Sequence, residues 1–291
     1  MAQLAVNLIY GGNYVIAKGI MPEFIKPLAF VLVRIGLAGV LLIIFQLSFI
    51  GEKVKGLKDY GLLALCAFFG VAANMSFFFK GLSLTSPINA SLIMTSTPIV
   101  VFVLSLILLN EKIRWLRIAG ILIGATGAIL LIITTNNSSK LEGINLAGDL
   151  MVLFNASSYA AYLVLVKPLM KRYHPFTVIR WTFTFGFFMV LPFSLNELMS
   201  TDWNAFANTT WLSLVYVVLG TTFLTYLLNA YSLRYASSSL VGAYIYLQPV
   251  FATIIAVLSG YYELSISQIL FGILIMLGVY LVSSTGKKAK A

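Results

Sequence analysis

Charge is scarce in this 291-residue chain: Asp and Glu together number 9, charged residues of both signs make up 10%, and cysteine and histidine occur once each. A lone cysteine, Cys66, excludes an intramolecular disulfide, and its place in an apolar run reads as a buried structural thiol. The only histidine, His174, stands beside Pro175 in a short polar break, far in sequence from any acid, which argues against zinc chemistry and a histidine-based triad. No Walker A sequence is present, which excludes ATP-driven pumping by this chain. Neither a metal nor a cofactor is expected. Polar side chains are also too few to cover a soluble globule, because 60% of residues are hydrophobic and the mean hydropathy is +0.97.

What is there instead is a succession of apolar runs long enough to cross a bilayer, with no soluble domain left over. The net charge of +10 would suggest nucleic acid in a soluble protein, but here the basic residues sit in short connections between apolar runs, so no nucleic-acid partner is expected. The expected partners are the lipid bilayer and a small-molecule substrate. The opening "MAQLAVNLIYGG" has no basic region and no small-residue cleavage site, so it reads as a first span rather than a signal peptide.

Cutting at charged or Gly/Asn/Ser-rich breaks predicts ten helices, at 3–20, 27–49, 58–80, 87–109, 115–134, 146–167, 175–196, 209–232, 238–260 and 266–285. The polar stretch "TTNNSSKLEGIN" separates two halves of five, 1–135 and 146–286. Lys53, Lys55, Lys58, Lys112, Arg114, Arg117, Lys167, Lys171, Arg172, Arg234, Lys287, Lys288 and Lys290 fall on one side. Only Lys18, Lys26, Lys80 and Lys140 fall on the other, so both termini are expected in the cytoplasm of a plasma (inner) membrane protein.

The two halves repeat one another. A single spacing pairs Pro98 with Pro249, Leu82 with Leu233 and Gly127 with Gly278; one inserted residue then pairs Glu111 with Glu263 and Gly120 with Gly272, and Asn7 and Tyr14 pair with Asn155 and Tyr162. Five is odd, so the second half enters the membrane from the opposite side. The charges agree, since Glu111 lies among Lys112, Arg114 and Arg117 while Glu263 precedes the uncharged "LSISQ". The predicted fold is therefore an all-α polytopic membrane protein, two inverted five-helix repeats around a central cavity, which suits a secondary transporter working by alternating access.

At "IYGGNYVIAKG", "LVRIGLAGVLL", the Pro98 to Lys112 element and the glycine-rich "GILIGATG", the chain resembles the EamA-type transporters of the drug/metabolite transporter superfamily. The resemblance covers essentially the whole chain. It departs in the second copy, where Tyr262-Glu263-Leu264 lacks the basic partner that often follows and Arg180 lies two residues early relative to Arg34. The resemblance implies ten helices around a central cavity and movement of small metabolites, often amino acids or related compounds. Export of an amino acid or related neutral or zwitterionic solute is the expectation. An intramembrane enzyme would need paired carboxylates, a His/Asp pair or metal ligands, and a receptor or scaffold would not explain the repeat.

Candidate substrate-binding residues are the polar groups inside apolar runs. Asn7, Gly11, Tyr14 and Lys18 form one helical stripe, echoed by Asn155, Tyr159 and Tyr162, which suits interhelical hydrogen bonds, cavity lining or both. Asn74 and Lys80 in the third helix, Tyr226, Asn229 and Tyr231 in the eighth, and Tyr244 and Gln248 in the ninth extend the candidate wall, with Lys80 either snorkelling to water or holding a carboxylate. Pro98 and Pro249 remove backbone bonds to Met94 and Ile245 and predict kinks. Arg34, two turns into the second helix, is read as a structural anchor or a substrate contact. Glu111 and Glu263 are placed at helix starts, where the helix dipole favours them. Gly120, Gly124 and Gly127, partly repeated by Gly272 and Gly278, suit close helix packing. No acid lies near the middle of any span, which favours a neutral, zwitterionic or anionic substrate.

Overall fold

The computed structural model describes residues 1–135, 145–258 and 265–287, and among these it is all helix with no strand. Ten helices follow: α1 Ala2–Ile20, α2 Pro27–Phe49, α3 Leu57–Leu84, α4 Pro87–Met94 continued as Thr97–Leu108, and α5 Trp115–Thr135. The second half supplies α6 Leu146–Leu165 extended by Lys167–Arg172, α7 Pro175–Met199, α8 Asn208–Tyr235, α9 Ser238–Ala243 leading through a 3-10 turn at Tyr244–Tyr246 into Leu247–Leu258, and α10 Ile266–Lys287. Among the described residues nine are long and apolar enough to cross a membrane; α1, with 19 residues, carries Gln3, Asn7 and Asn13.

Each helix begins within a residue of its predicted start, because the start signals are local. Pro27, Pro87 and Pro175 stand at the first helical positions, where proline's missing N–H leaves nothing unsatisfied. The side chains of Ser86, Asn145 and Ser237 accept hydrogen bonds from the backbone N–H groups of Asn89, Gly148 and Leu240. His174 caps α7 by accepting from the Phe176 N–H at 3.4 Å. Two carboxylates tie α2 and α7 end to end: Glu197 Oε2 accepts from the Leu28 and Ala29 N–H groups at 2.8 and 3.2 Å, and Glu52 Oε2 accepts from the His174 N–H at 2.8 Å. Each sits at the positive end of its partner's helix dipole.

The packing has the pattern of an inverted repeat. Helix α1 packs on α8 and α9 of the other half, and α6 packs on α3 and α4; α2 pairs with α7, α4 with α9 and α5 with α10. Exchanging each helix for its counterpart maps these contacts onto themselves. The leading helix of each half is therefore housed by the other half.

Both α3 and α8 loosen into π-helix at equivalent places, Phe68–Ala72 and Tyr216–Leu224. The wider turn redirects carbonyls from the i→i−4 ladder to side chains. Tyr226 OH donates to the Gly70 carbonyl at 2.8 Å, and the hydroxyls of Thr221 and Thr222 both donate to the Val217 carbonyl at 2.8 Å. Helices α4 and α9 break one turn before Pro98 and Pro249, at Thr95–Ser96 and Tyr244–Tyr246 respectively.

The α5–α10 seam is closed by glycine. A Cβ on Gly278 would stand 2.6 Å from the Gly120 carbonyl oxygen, and one on Gly127 would meet the Ile275 nitrogen at 3.0 Å. Gly124 faces the Tyr246 ring. Gly272 does not join this seam, since nothing lies within 4 Å of its added Cβ. On α2 the residues Leu37, Val40, Ile44 and Leu47 point outward as an exposed apolar stripe, as a lipid-facing surface requires.

Candidate functional site

A narrow, partly open cavity of about 70 Å³ lies between the helices. Its wall is built from both repeats: Tyr10 and Asn13 of α1, Arg34 of α2, Asn74, Met75, Phe78 and Phe79 of α3, Met94 of α4, Asn155 and Tyr159 of α6, Tyr226 of α8 and Gln248 of α9. A second, smaller void of about 10 Å³ lies towards the end where α1 begins, lined by Gln3, Val6, Asn7, Tyr10, Tyr159, Leu163, Asn229, Val241, Ile245 and Gln248. Tyr10, Tyr159 and Gln248 border both and form the partition.

The partition is held by a chain of amides. Gln3 Nε2 donates to Asn229 Oδ1 at 2.8 Å, Asn229 Nδ2 donates to Tyr159 OH at 3.0 Å, Asn7 Nδ2 donates to the Gln3 carbonyl at 2.6 Å, and Gln248 Nε2 donates to Asn7 Oδ1 at 3.2 Å. Four helices, α1, α6, α8 and α9, are joined in this way. Buried polar groups demand such partners, because an unpaired one forfeits its hydration without return.

On the other side of the partition the bonding is sparser. Asn155 Nδ2 donates to the Asn74 carbonyl at 2.8 Å, which fixes its amide and leaves Oδ1 buried without a partner. Asn13 Oδ1 is likewise unpartnered. Arg34 is 3% exposed; its Nε donates to Thr222 Oγ1 at 2.9 Å and its Nη2 to Thr221 Oγ1 at 3.4 Å, while Nη1 has no acceptor. Its guanidinium carbon lies 4.5 Å from the Phe79 ring centroid and 5.9 Å from that of Phe30. No Asp or Glu lines either void.

Of the sequence candidates, Asn7, Asn74, Asn155, Tyr159, Tyr226, Asn229 and Gln248 meet at this cavity and its partition. Lys80 does not. It is exposed and borders a separate lateral groove of about 390 Å³ with Leu28, Phe77 and Phe193. Tyr244 is turned into the apolar cluster of Ala243, Tyr246 and the α5–α10 seam. The side chains of Tyr14 and Lys18, and residues Lys140 and Glu263, lie outside the described residues.

Glu111 is not a cap on α5, which has no acid in its first turn. It lies in the connection before α5, forms an ion pair with Arg117, and accepts from Ser239 Oγ at 2.9 Å, tying α4, α5 and α9 together at the end where α1 begins. Arg180 bonds Gln46 Oε1 at 2.6 Å and does not line the cavity. Gln3, Tyr10 and Asn13 escaped the sequence reading. Gln3 and Tyr10 flank Asn7 at helical spacing and Asn13 follows Tyr10 by three residues, so a wider polar face on α1 was the available signal.

An all-helical bundle of inverted halves, with polar side chains of both halves in a cavity wall, is an architecture that secondary transporters use. Comparison with known proteins agrees: the model of the EamA-like transporter family matches residues 1–133 and again 146–284, and the chain belongs to that family, within the drug/metabolite transporter superfamily. The uncharacterized transporter YyaM of Bacillus subtilis is 25% identical over 285 residues, spanning 96% of this chain and 92% of its own. An uncharacterized transporter of Archaeoglobus fulgidus is 26% identical, covering 95% and 94%, and a WAT1-related protein of Arabidopsis thaliana is 23% identical, covering 97% and 84%. A solved crystal structure shares the fold across 100% of this chain and 98% of its own, with a TM-score of 0.78 at 17% identity.

Proposed function

We propose that this transporter moves a small polar metabolite, an amino acid or related neutral or zwitterionic compound, through the central cavity by alternating access, and that its direction is export across the plasma (inner) membrane. The observation that carries the reading is the cavity itself, in an apolar bundle, with polar side chains of both inverted halves in its wall. Alternating access is supported by the matched breaks in α4 and α9 and the matched π stretches in α3 and α8, which give both halves the same places to bend. The excess of basic residues in alternate connections supports cytoplasmic termini.

The test is uptake into proteoliposomes of purified protein, with a panel of labelled amino acids and neutral metabolites, with and without a pH gradient. Saturable uptake of one class is expected, and cells overproducing the protein should retain less of that compound after preloading. Uptake no greater than in protein-free vesicles across the panel would sink the proposal. For topology, a cysteine at Lys171 should resist a membrane-impermeant reagent in whole cells and one at Lys140 should react; the reverse would invert the orientation.

A further inference from the structure

Arg34 poses a problem that the hydrogen bonds around it do not solve. Its guanidinium is buried in a membrane-spanning bundle, where a cation needs a counter-charge or water. The ion pairs of the described residues, Glu111 with Arg117 and Asp59 with Arg172, lie at the end where α1 begins, whereas Arg34 lies in the other half of the bundle, two turns from the start of α2. Two threonine hydroxyls and two aromatic rings orient the group without neutralising it.

Its setting is that of a presented cation rather than a structural brace. The hydroxyl protons of Thr221 and Thr222 are committed to the Val217 carbonyl in the π stretch, so their oxygens are fixed as acceptors that hold the Nε and Nη2 side of the guanidinium. Nη1 is left without an acceptor in the wall of the cavity. In the same wall stand two acceptors without donors, the amide oxygens of Asn13 and Asn155. Chemistry that completes the set carries an anionic oxygen for Arg34 and an N–H or O–H for the asparagines.

We propose that Arg34 binds the carboxylate of the transported substrate and that Asn13 and Asn155 accept hydrogen bonds from its amino or hydroxyl group, so that the carrier selects small amino and hydroxy acids over uncharged metabolites. This rests on the reading of the cavity as the substrate site. Met75, Phe78 and Met94 supply an apolar wall for the remainder of such a molecule. A volume of about 70 Å³ has room for only a handful of waters, so loading a substrate parts the walls.

The experiment compares matched probes: leucine, leucinamide and isopentylamine, then lactate, lactamide, acetate and formate, read as shifts in melting temperature of the purified protein. Carboxylates should stabilise the wild type and their amides and amines should not. Arg34→Gln should abolish the shift, Arg34→Lys should weaken carboxylate binding about 10- to 100-fold, as losing one charge-assisted bonded pair requires, and Thr222→Val should weaken it less. If Arg34→Gln does not fold, the Lys and Val variants carry the test. Equal stabilisation by acids and amides, an unchanged response in Arg34→Gln, or no shift with any carboxylate overturns the inference. The two readings fail separately: Arg34-dependent carboxylate binding without counterflow in proteoliposomes would remove the carrier and keep the anion site. Equal uptake of acid and amide would do the reverse.

Discussion

The two sides of the partition differ in how they treat polar groups. Between Gln3, Asn7, Asn229, Tyr159 and Gln248 the amides bond one another across four helices. In the adjoining cavity wall Arg34 Nη1, Asn13 Oδ1 and Asn155 Oδ1 have no partner. A bonded layer holds helices in place, and an unbonded one waits for something to bond; polar residues in a membrane protein do both jobs, and only the geometry tells them apart.

This contrast can be broken from either side. The largest structural effect is expected from Asn229→Ala, which strands Gln3 and Tyr159 and should cost about 1–2 kcal/mol of stability, read as a lower melting temperature with carboxylate affinity unchanged within about twofold. A loss of affinity without a loss of stability would move Asn229 into the binding layer. Next is Gln248→Ala, on the border of both voids. It should lower affinity several-fold and stability by about 0.5–1 kcal/mol, while membrane expression persists; equal loss of expression would make it purely structural. Glu111→Gln should loosen the tie between α5 and α9 and raise the labelling rate of a cysteine placed at Val241, with affinity little changed. The smallest effect belongs to Lys80→Gln, outside the cavity, for which transport within about twofold of wild type is expected. A large loss there would give the lateral groove a part in transport.

The helices were legible because their signals are local: a proline at the first turn, a serine or asparagine cap, an apolar run of membrane length. The site was legible only in part. Asn7, Asn155 and Gln248 stood out as amides that have no reason to face lipid, and they meet. Asn74 and Lys80 were assigned one wall, yet six residues of α-helix set them about 120° apart, and they border different pockets. Tyr244 was assigned the face of Gln248, but the 3-10 turn at Tyr244–Tyr246 rotates it away by about 20° more per residue than an α-helix would. Nothing local announces that turn, or the π stretches of α3 and α8. The bond from the Thr222 hydroxyl to a carbonyl five residues back depends on one of them.

The exchange of leading helices has a consequence for how the protein is made. Helix α1 leaves the ribosome well before its neighbours α8 and α9, which begin some 200 residues later, a delay of roughly 10–40 s at ordinary rates of synthesis. Through that interval Gln3 lacks Asn229 and Asn7 lacks Gln248. The nascent chain therefore carries a polar helix in the bilayer before the helices that house it exist.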